Sequence, residues 1–108
     1  LHFHNTRGVG LANVMTGLNE GITVYESCFG GMGGCPFAPN ATGNICSEDL
    51  IYLLHEMGIK TGIDLDKIIS VAKKVENLVG HKLPGQVMRA GHRLLSYSMD
   101  EVPTAVGA

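Results

Sequence analysis

Apolar residues recur along this chain with two different periods, and the switch between them marks its elements. Leu1-His2-Phe3-His4 alternates apolar and polar positions, as a half-buried strand does. From Gly8 to Glu20 the residues Leu11, Val14, Met15 and Leu18 follow the i, i+3, i+4, i+7 spacing of one helical face. Gly21 stands where a C′ glycine would end that helix. Ile22-Thr23-Val24-Tyr25-Glu26-Ser27-Cys28 is rich in β-branched and aromatic residues and predicts a buried strand. The stretch from Phe29 to Asn44 is too dense in Gly and Pro to hold either element for long.

Beyond it the pattern turns helical. Ser47 is the expected N-cap of a second helix, with Glu48 and Asp49 in the first turn at the positive end of the dipole. Leu50, Ile51, Leu53, Leu54 and Met57 supply its apolar face, and Gly58 ends it. A third helix starts near Asp64 and carries Leu65, Ile68, Ile69, Ala72, Val75, Leu78 and Val79 to Gly80. Gly85 to Ser98 predicts another helix, which Gly91 weakens. The tail from Val102 is expected to be mobile. Strand, helix, strand, long loop and helices argue for an α/β class with parallel strands. Two strands cannot close a sheet, and a parallel pair needs both faces covered, so the pattern is under-built as an independent domain. With Leu1 in place of an initiator Met, it reads as a chain entered in mid-fold.

Composition narrows the function classes. A length of 108 residues is one domain or a piece of a larger one, and 44% hydrophobic with 17% charged residues is globular. A net charge of −2 argues against a broad nucleic-acid or anionic-membrane surface. No apolar run approaches the roughly 20 residues that span a bilayer, and no signal-peptide pattern opens the chain. Cys28, Cys35 and Cys46 are odd in number and fit no CxxC zinc pattern, so reduced thiols in the cytoplasm are expected.

Two constellations carry chemistry. In a strand, His2 and His4 point to one face about 6–7 Å apart, with Phe3 on the other, so two imidazoles can converge on one metal ion. Two ligands alone rarely hold a divalent ion, however, and a bare pair is more often exposed or simply hydrogen-bonded. Asn5 or Thr6, in the turn that follows, is placed to cap the first helix. The second constellation runs from Gly30-Gly31-Met32-Gly33-Gly34-Cys35-Pro36 to Asn44. Its glycines allow positive φ, close approach to a ligand and a hinged lid, and a cysteine at the end of such a segment is exposed enough to react. A flexible surface loop with an incidental thiol is the bland alternative. The run is neither GxGxxG nor a P-loop, so nucleotide phosphate binding is not indicated.

Taken together and in this order, His-x-His-Asn-Thr-Arg-Gly and Gly-Gly-Met-Gly-Gly-Cys-Pro-Phe-Ala-Pro-Asn-Ala-Thr-Gly-Asn closely resemble the 3-hydroxy-3-methylglutaryl-CoA lyase family. This family belongs to the metal-dependent Claisen-type barrel enzymes, which also include the isopropylmalate and citramalate synthases. The resemblance runs from Leu1 to about Leu78. It implies the C-terminal segment of a (β/α)8 TIM barrel, from about the sixth strand to the end and incomplete as a barrel on its own. Residues 1–80 would be the barrel part, and 81–108 a C-terminal helical extension and mobile tail. It further implies His2, His4 and Asn44 as ligands of Mg2+ or Mn2+, completed by an aspartate from the first strand. Cys35 matches the catalytic cysteine, with Gly33, Gly34 and Pro36 forming the substrate loop around it. Cys28 and Cys46 are expected to be buried small hydrophobes.

The implied reaction is retro-Claisen cleavage of a 3-hydroxy-3-methylglutaryl-CoA-type thioester to acetyl-CoA and a 3-oxo acid, acetoacetate. Three positions depart from the family pattern: Asn5 replaces an aspartate, Asn40 a small residue and Cys46 an alanine. They put the acyl group in doubt more than the reaction type. Two histidines and an asparagine carry no negative charge and would hold Mg2+ or Mn2+ poorly, so this chain alone is expected to be inactive. Exposed strand edges predict association with a missing N-terminal barrel segment or with another copy as a homo-oligomer. The expected partner molecule is an acyl-CoA substrate, with no nucleic acid and no membrane. Two alternatives stand beside this reading: a condensing synthase segment of the isopropylmalate or citramalate type, against which the Gly-Gly-Cys-Pro loop argues, and a non-catalytic truncated barrel fragment.

Overall fold

A computed structural model describes residues 1–96. The expected mobile tail and the far end of the helix expected over Gly85 to Ser98 lie outside the described residues. In chain order the described elements are α1 (Gly10–Asn19), a 3-10 turn (Phe29–Gly31), α2 (Ser47–Glu56), α3 (Leu65–Val79) and α4 (Val87–Ala90).

Local chemistry sets the helix ends. Val9 precedes α1 and has no side-chain oxygen to cap it. Asn5 reaches forward instead, and its Oδ1 accepts the Gly10 N–H at 3.0 Å. Gly21 follows the last turn at positive φ, as expected. Helix α2 departs from expectation, because its N-cap is Cys46 and Ser47 is already helical. The Ser47 hydroxyl is committed to the Ser27 hydroxyl, 2.7 Å away, and cannot cap. Asp64 does cap α3, accepting the Lys67 N–H at 3.1 Å, and Gly80 closes that helix in the left-handed region. The helix expected over Gly85 to Ser98 shrinks to the four residues of α4. Gly91 takes φ +73°, a conformation no helix interior contains, so it stops the element rather than merely weakening it.

The strand expectations are corrected more sharply. Among the described residues no ladder of several paired residues forms; three extended runs, 1–5, 22–28 and 44–46, meet through single bridges. Leu1 C=O accepts the Glu26 N–H at 2.8 Å, and the Leu1 ammonium donates to Val24 C=O, an exchange characteristic of parallel neighbours. Cys28 and Cys46 make a parallel bridge, and His4 and Asn44 an antiparallel one. Nor is 22–28 buried: Val24 is 74% exposed, and only Tyr25 and Cys28 are half-buried. Tyr25 packs inward toward α1, while the opposite face of the run carries no covering layer among the described residues.

Two small cores result. Val14, Ile45 and Leu50 form one, with Phe3, Tyr25 and Leu54 packed around them, which joins α1 and α2 to the extended runs. Ala72, Leu83 and Met88 form the other, with Met32 and Val75, which joins α3 and α4 to the glycine turn. Phe3 therefore faces the core, leaving its neighbours His2 and His4 on the open side. No described helix is long and apolar enough to cross a membrane.

Candidate metal and thiol site

His2 and His4 converge as their spacing predicts. Their Nε2 atoms lie 3.1 Å apart, with ring centroids at 5.0 Å. The other nitrogen of each ring is also engaged: His2 Nδ1 lies 2.8 Å from Glu26 Oε2, and His4 Nδ1 lies 3.2 Å from Thr42 C=O. A carboxylate and a carbonyl only accept, so both Nδ1 atoms carry protons. In neutral rings both Nε2 atoms then present bare lone pairs to each other. Lone pairs at that distance repel unless a proton or a cation lies between them.

Asn44 is the third of the expected ligands. It is bridged to His4, and the flanking bonds Asn5 N–H to Gly43 C=O and Ile45 N–H to Phe3 C=O make this the narrow type of antiparallel pair. Side chains of such a pair share a face and approach closely. Asn44 Nδ2 donates to Met32 C=O at 3.2 Å. That bond turns Oδ1 the other way, and Oδ1 is buried with no hydrogen-bond partner among the described residues. A buried acceptor without a donor costs about 1–3 kcal/mol unless something outside the protein satisfies it.

These donors fit the ion that the family resemblance implies. An octahedral ion with bonds of about 2.1 Å sets adjacent ligand atoms about 3 Å apart, close to the observed nitrogen separation. The amide oxygen is the hard donor that Mg2+ and Mn2+ prefer. The trio holds no acid, and no group of three or more His, Cys, Asp or Glu is placed for a metal among the described residues.

What holds the trio is largely invisible in the sequence pattern. Glu48, expected to be a helix-dipole charge, is completely buried, and both its oxygens accept the Gly30 N–H, at 3.0 and 3.1 Å. Gly30 is pinned at φ +63° with Leu83 against its α-carbon, leaving no room for a side chain. From this fixed turn the chain reaches Met32, whose carbonyl accepts both the backbone N–H and the side-chain amide of Asn44. Asp49 is likewise more than a dipole charge: its carboxylate accepts the N–H groups of Gln86 and Val87 and seats α4. Cys46, beside Glu48, is buried, and burial pushes its thiol far up, with the Asp49 and Glu48 charges adding to the rise. Its burial is as expected, whereas Cys28 is only half-buried.

The thiol loop is a different kind of structure. Gly33 lies beside the Asn44 amide at φ +112°, but from there to Asn40 every residue is exposed, including Gly34, Cys35 and Pro36. The Cys35 thiol makes no hydrogen bond among the described residues. The glycine run is therefore not one hinge: Gly30 and Gly31 are a buried anchor, and only the part beyond Met32 is open. Asn40 sits at φ +62°, where only Gly, Asn or Asp is comfortable, which accounts for an asparagine at this point of the loop. Asn5 keeps the capping oxygen on α1 that an aspartate would also offer, and nothing in the structure explains the loss of the charge. A cleft of about 430 Å3 opens beside the loop, lined by Met32, Gly33, Thr42, Gly43, Leu83 and Pro84 among others.

A family model described as HMGL-like matches residues 1–75. The chain belongs to this family. It is 50% identical over 86 residues to a hydroxymethylglutaryl-CoA lyase of Bacillus subtilis, a match that covers 80% of this chain and 29% of the relative. It is 46% identical over 91 residues to the (R)-citramalyl-CoA lyase of Chloroflexus aurantiacus, covering 84% of this chain and 29% of that one. Among solved structures it resembles an HMG-CoA lyase of Acinetobacter baumannii in complex with coenzyme A and 3-methylmalate. There the TM-score is 0.86 at 46% identity, over 92% of this chain and 32% of that one. The HMGL-like chain thus spans about three tenths of the length of the curated relatives it matches.

Proposed function

We propose that this chain is the metal-binding and cysteine-loop part of a hydroxymethylglutaryl-CoA lyase-like enzyme, forming the last portion of a (β/α)8 barrel from about the sixth strand onward. The observation that carries the reading is the convergence of two imidazole lone pairs, 3.1 Å apart, with Asn44, the bridge partner of His4, holding a buried Oδ1 that has no hydrogen-bond partner among the described residues. His2 and His4 Nε2 and Asn44 Oδ1 are the protein's donors to Mg2+ or Mn2+, and an aspartate from elsewhere in the barrel adds the missing charge. When bound, such an ion polarises the oxygens of a chelated 3-hydroxyacyl thioester and eases loss of the hydroxyl proton. Cys35 acts as proton donor to the enolate carbon released when the C–C bond breaks, a role its exposed place on the loop permits. Gly33 lets the chain pass close to Asn44, and Gly34 and Pro36 shape the loop that covers the acyl-CoA.

The acyl group is left between two neighbours in chemistry, because one relative is named for hydroxymethylglutaryl-CoA and another for citramalyl-CoA. Both names are lyases, which with the Gly-Gly-Cys-Pro loop favours cleavage over condensation. Three free thiols suit a reducing compartment such as the cytoplasm. Val24 and Leu78, 74% and 85% exposed, and the uncovered face of 22–28 support association with further barrel strands or a second copy.

The test is a graft. A chimaera carrying these residues in place of the matching stretch of the B. subtilis lyase should cleave hydroxymethylglutaryl-CoA or citramalyl-CoA to acetyl-CoA with Mg2+ or Mn2+. C35S in that chimaera should lose about 100-fold or more in kcat, while the 108-residue chain alone should show no turnover. A chimaera that folds but cleaves neither thioester, or enzyme-like turnover by the chain alone, would overturn the proposal.

A further inference from the structure

We infer that Glu26 is the positioning residue of the metal site: it holds His2 in the one tautomer that leaves Nε2 free to ligate. The inference rests on the metal-site reading above and adds a residue to it. The two histidines are fixed by different means. His4 Nδ1 is held by the backbone carbonyl of Thr42, which no side-chain change removes. His2 has no such support. Its side chain is 51% exposed, so packing does not orient the ring, and among the described residues its ring bonds, apart from His4, only to Glu26, at 2.8 Å.

Glu26 is well placed to do this. Its backbone N–H is bonded to Leu1 C=O, which locks its α-carbon alongside the start of the histidine run. Without that carboxylate a neutral imidazole in water favours the proton on Nε2. For His2 that proton would sit on the ligating atom and point at the bare Nε2 of His4, 3.1 Å away. The pair would then close on itself as an N–H···N hydrogen bond, and a metal ion would have to break it first. With Glu26 accepting the Nδ1 proton, both lone pairs stay open, the arrangement by which outer-shell carboxylates orient metal-binding histidines. The side chain of Glu26 is itself 71% exposed, so its charge acts weakly through solvent, and its effect lies in the hydrogen bond.

The experiment uses the 108-residue chain at pH 8, with Co2+ as a probe that nitrogen donors bind more tightly than Mn2+. Calorimetry measures Co2+ affinity, and ring 15N shifts of metal-free protein report the His2 tautomer. E26A should weaken Co2+ binding about 10–100-fold and move the His2 proton from Nδ1 to Nε2. E26Q, whose amide oxygen accepts the same N–H, should recover most of both. Unchanged affinity and tautomer in E26A would overturn the inference, as would an E26Q as weak as E26A, which would mean that charge and not the hydrogen bond matters. Failure of the underlying reading looks different: Co2+ binding by the wild type would then be absent or untouched by H4A. The tautomer of metal-free E26A still decides the role of Glu26 in that case.

Discussion

The glycine-rich stretch that defines the site contains two regions built on opposite terms. Residues 28–32, with 43–48 beside them, form an anchor in which Gly30, Gly31, Gly43, Ile45 and Glu48 are buried and the turn is tied by the carboxylate of Glu48. Residues 33–40, between these two segments, are exposed throughout, with Phe37 at 93%. Asn44, the proposed ligand, belongs to the anchor, and the thiol of Cys35 to the open loop. The difference fits the role proposed for each. A metal ligand has to be held to a fraction of an ångström, whereas a group that covers and then releases a substrate has to move.

The comparison breaks most directly at Glu48. E48A leaves the Gly30 N–H without its acceptor among the described residues and empties the space the carboxylate filled. About 3 kcal/mol of stability should be lost, read as a lower urea midpoint. A loss under about 0.5 kcal/mol, the range of ordinary surface changes, would mean that the anchor is not tied as described.

A glycine pair sharpens the contrast. At Gly30 an added methyl collides with Leu83 and has to adopt φ +63°, so G30A should cost about 1–3 kcal/mol. At Gly34 the nearest atom to such a methyl is Ala41 C=O at 3.5 Å, an ordinary contact. G34A should change stability by no more than about 0.5 kcal/mol. Equal effects at the two sites would erase the distinction between anchor and loop.

How much of this was legible beforehand follows from the range over which each signal acts. Helix faces, the start of the third helix near Asp64 and the glycine stops are local, and the periodicity places them within a few residues. The histidine pair was legible because a two-residue strand repeat is local as well. Glu48 was not: its partner Gly30 is 18 residues away, and a glutamate in a first helical turn looks the same whether it faces water or a buried N–H. Asp49 and the N-terminus of α4 are 37 and 38 residues apart and were hidden for the same reason. The sequence of 22–28 predicts a buried strand because β-branched composition reports a tendency to pair, and whether a covering layer exists is a property of the rest of the fold.

Thiol chemistry gives a smaller but cleaner reading of the same contrast. Cys46 lies in the anchor, with a thiol that burial keeps protonated, and Cys35 is exposed. Iodoacetamide at pH 8 should label Cys35 at least about tenfold faster than Cys46, as followed by peptide mass spectrometry. Comparable rates would show that the anchor opens as readily as the loop.

The smallest effect expected lies at the outer edge of the anchor and depends on pH. Leu83, which seats on Gly30, donates its backbone N–H to Glu76 Oε2 at 2.8 Å, and Arg89 is hydrogen-bonded to the same carboxylate. Arg89 above all, and then the Leu83 N–H, hold the Glu76 carboxyl below its ordinary value. A carboxyl depressed in the folded state binds fewer protons there than in the unfolded chain. Its contribution is therefore full above the unfolded value near 4.5 and fades as pH falls through the folded one. The stability difference between wild type and E76Q should accordingly hold steady from pH 7 to about 5 and shrink below that, followed by urea midpoints down to pH 2. A difference that persists unchanged in acid would assign the clasp to packing of the side chain and not to its charge. The seat of Leu83 on Gly30 would then stand without the Glu76–Arg89 pair.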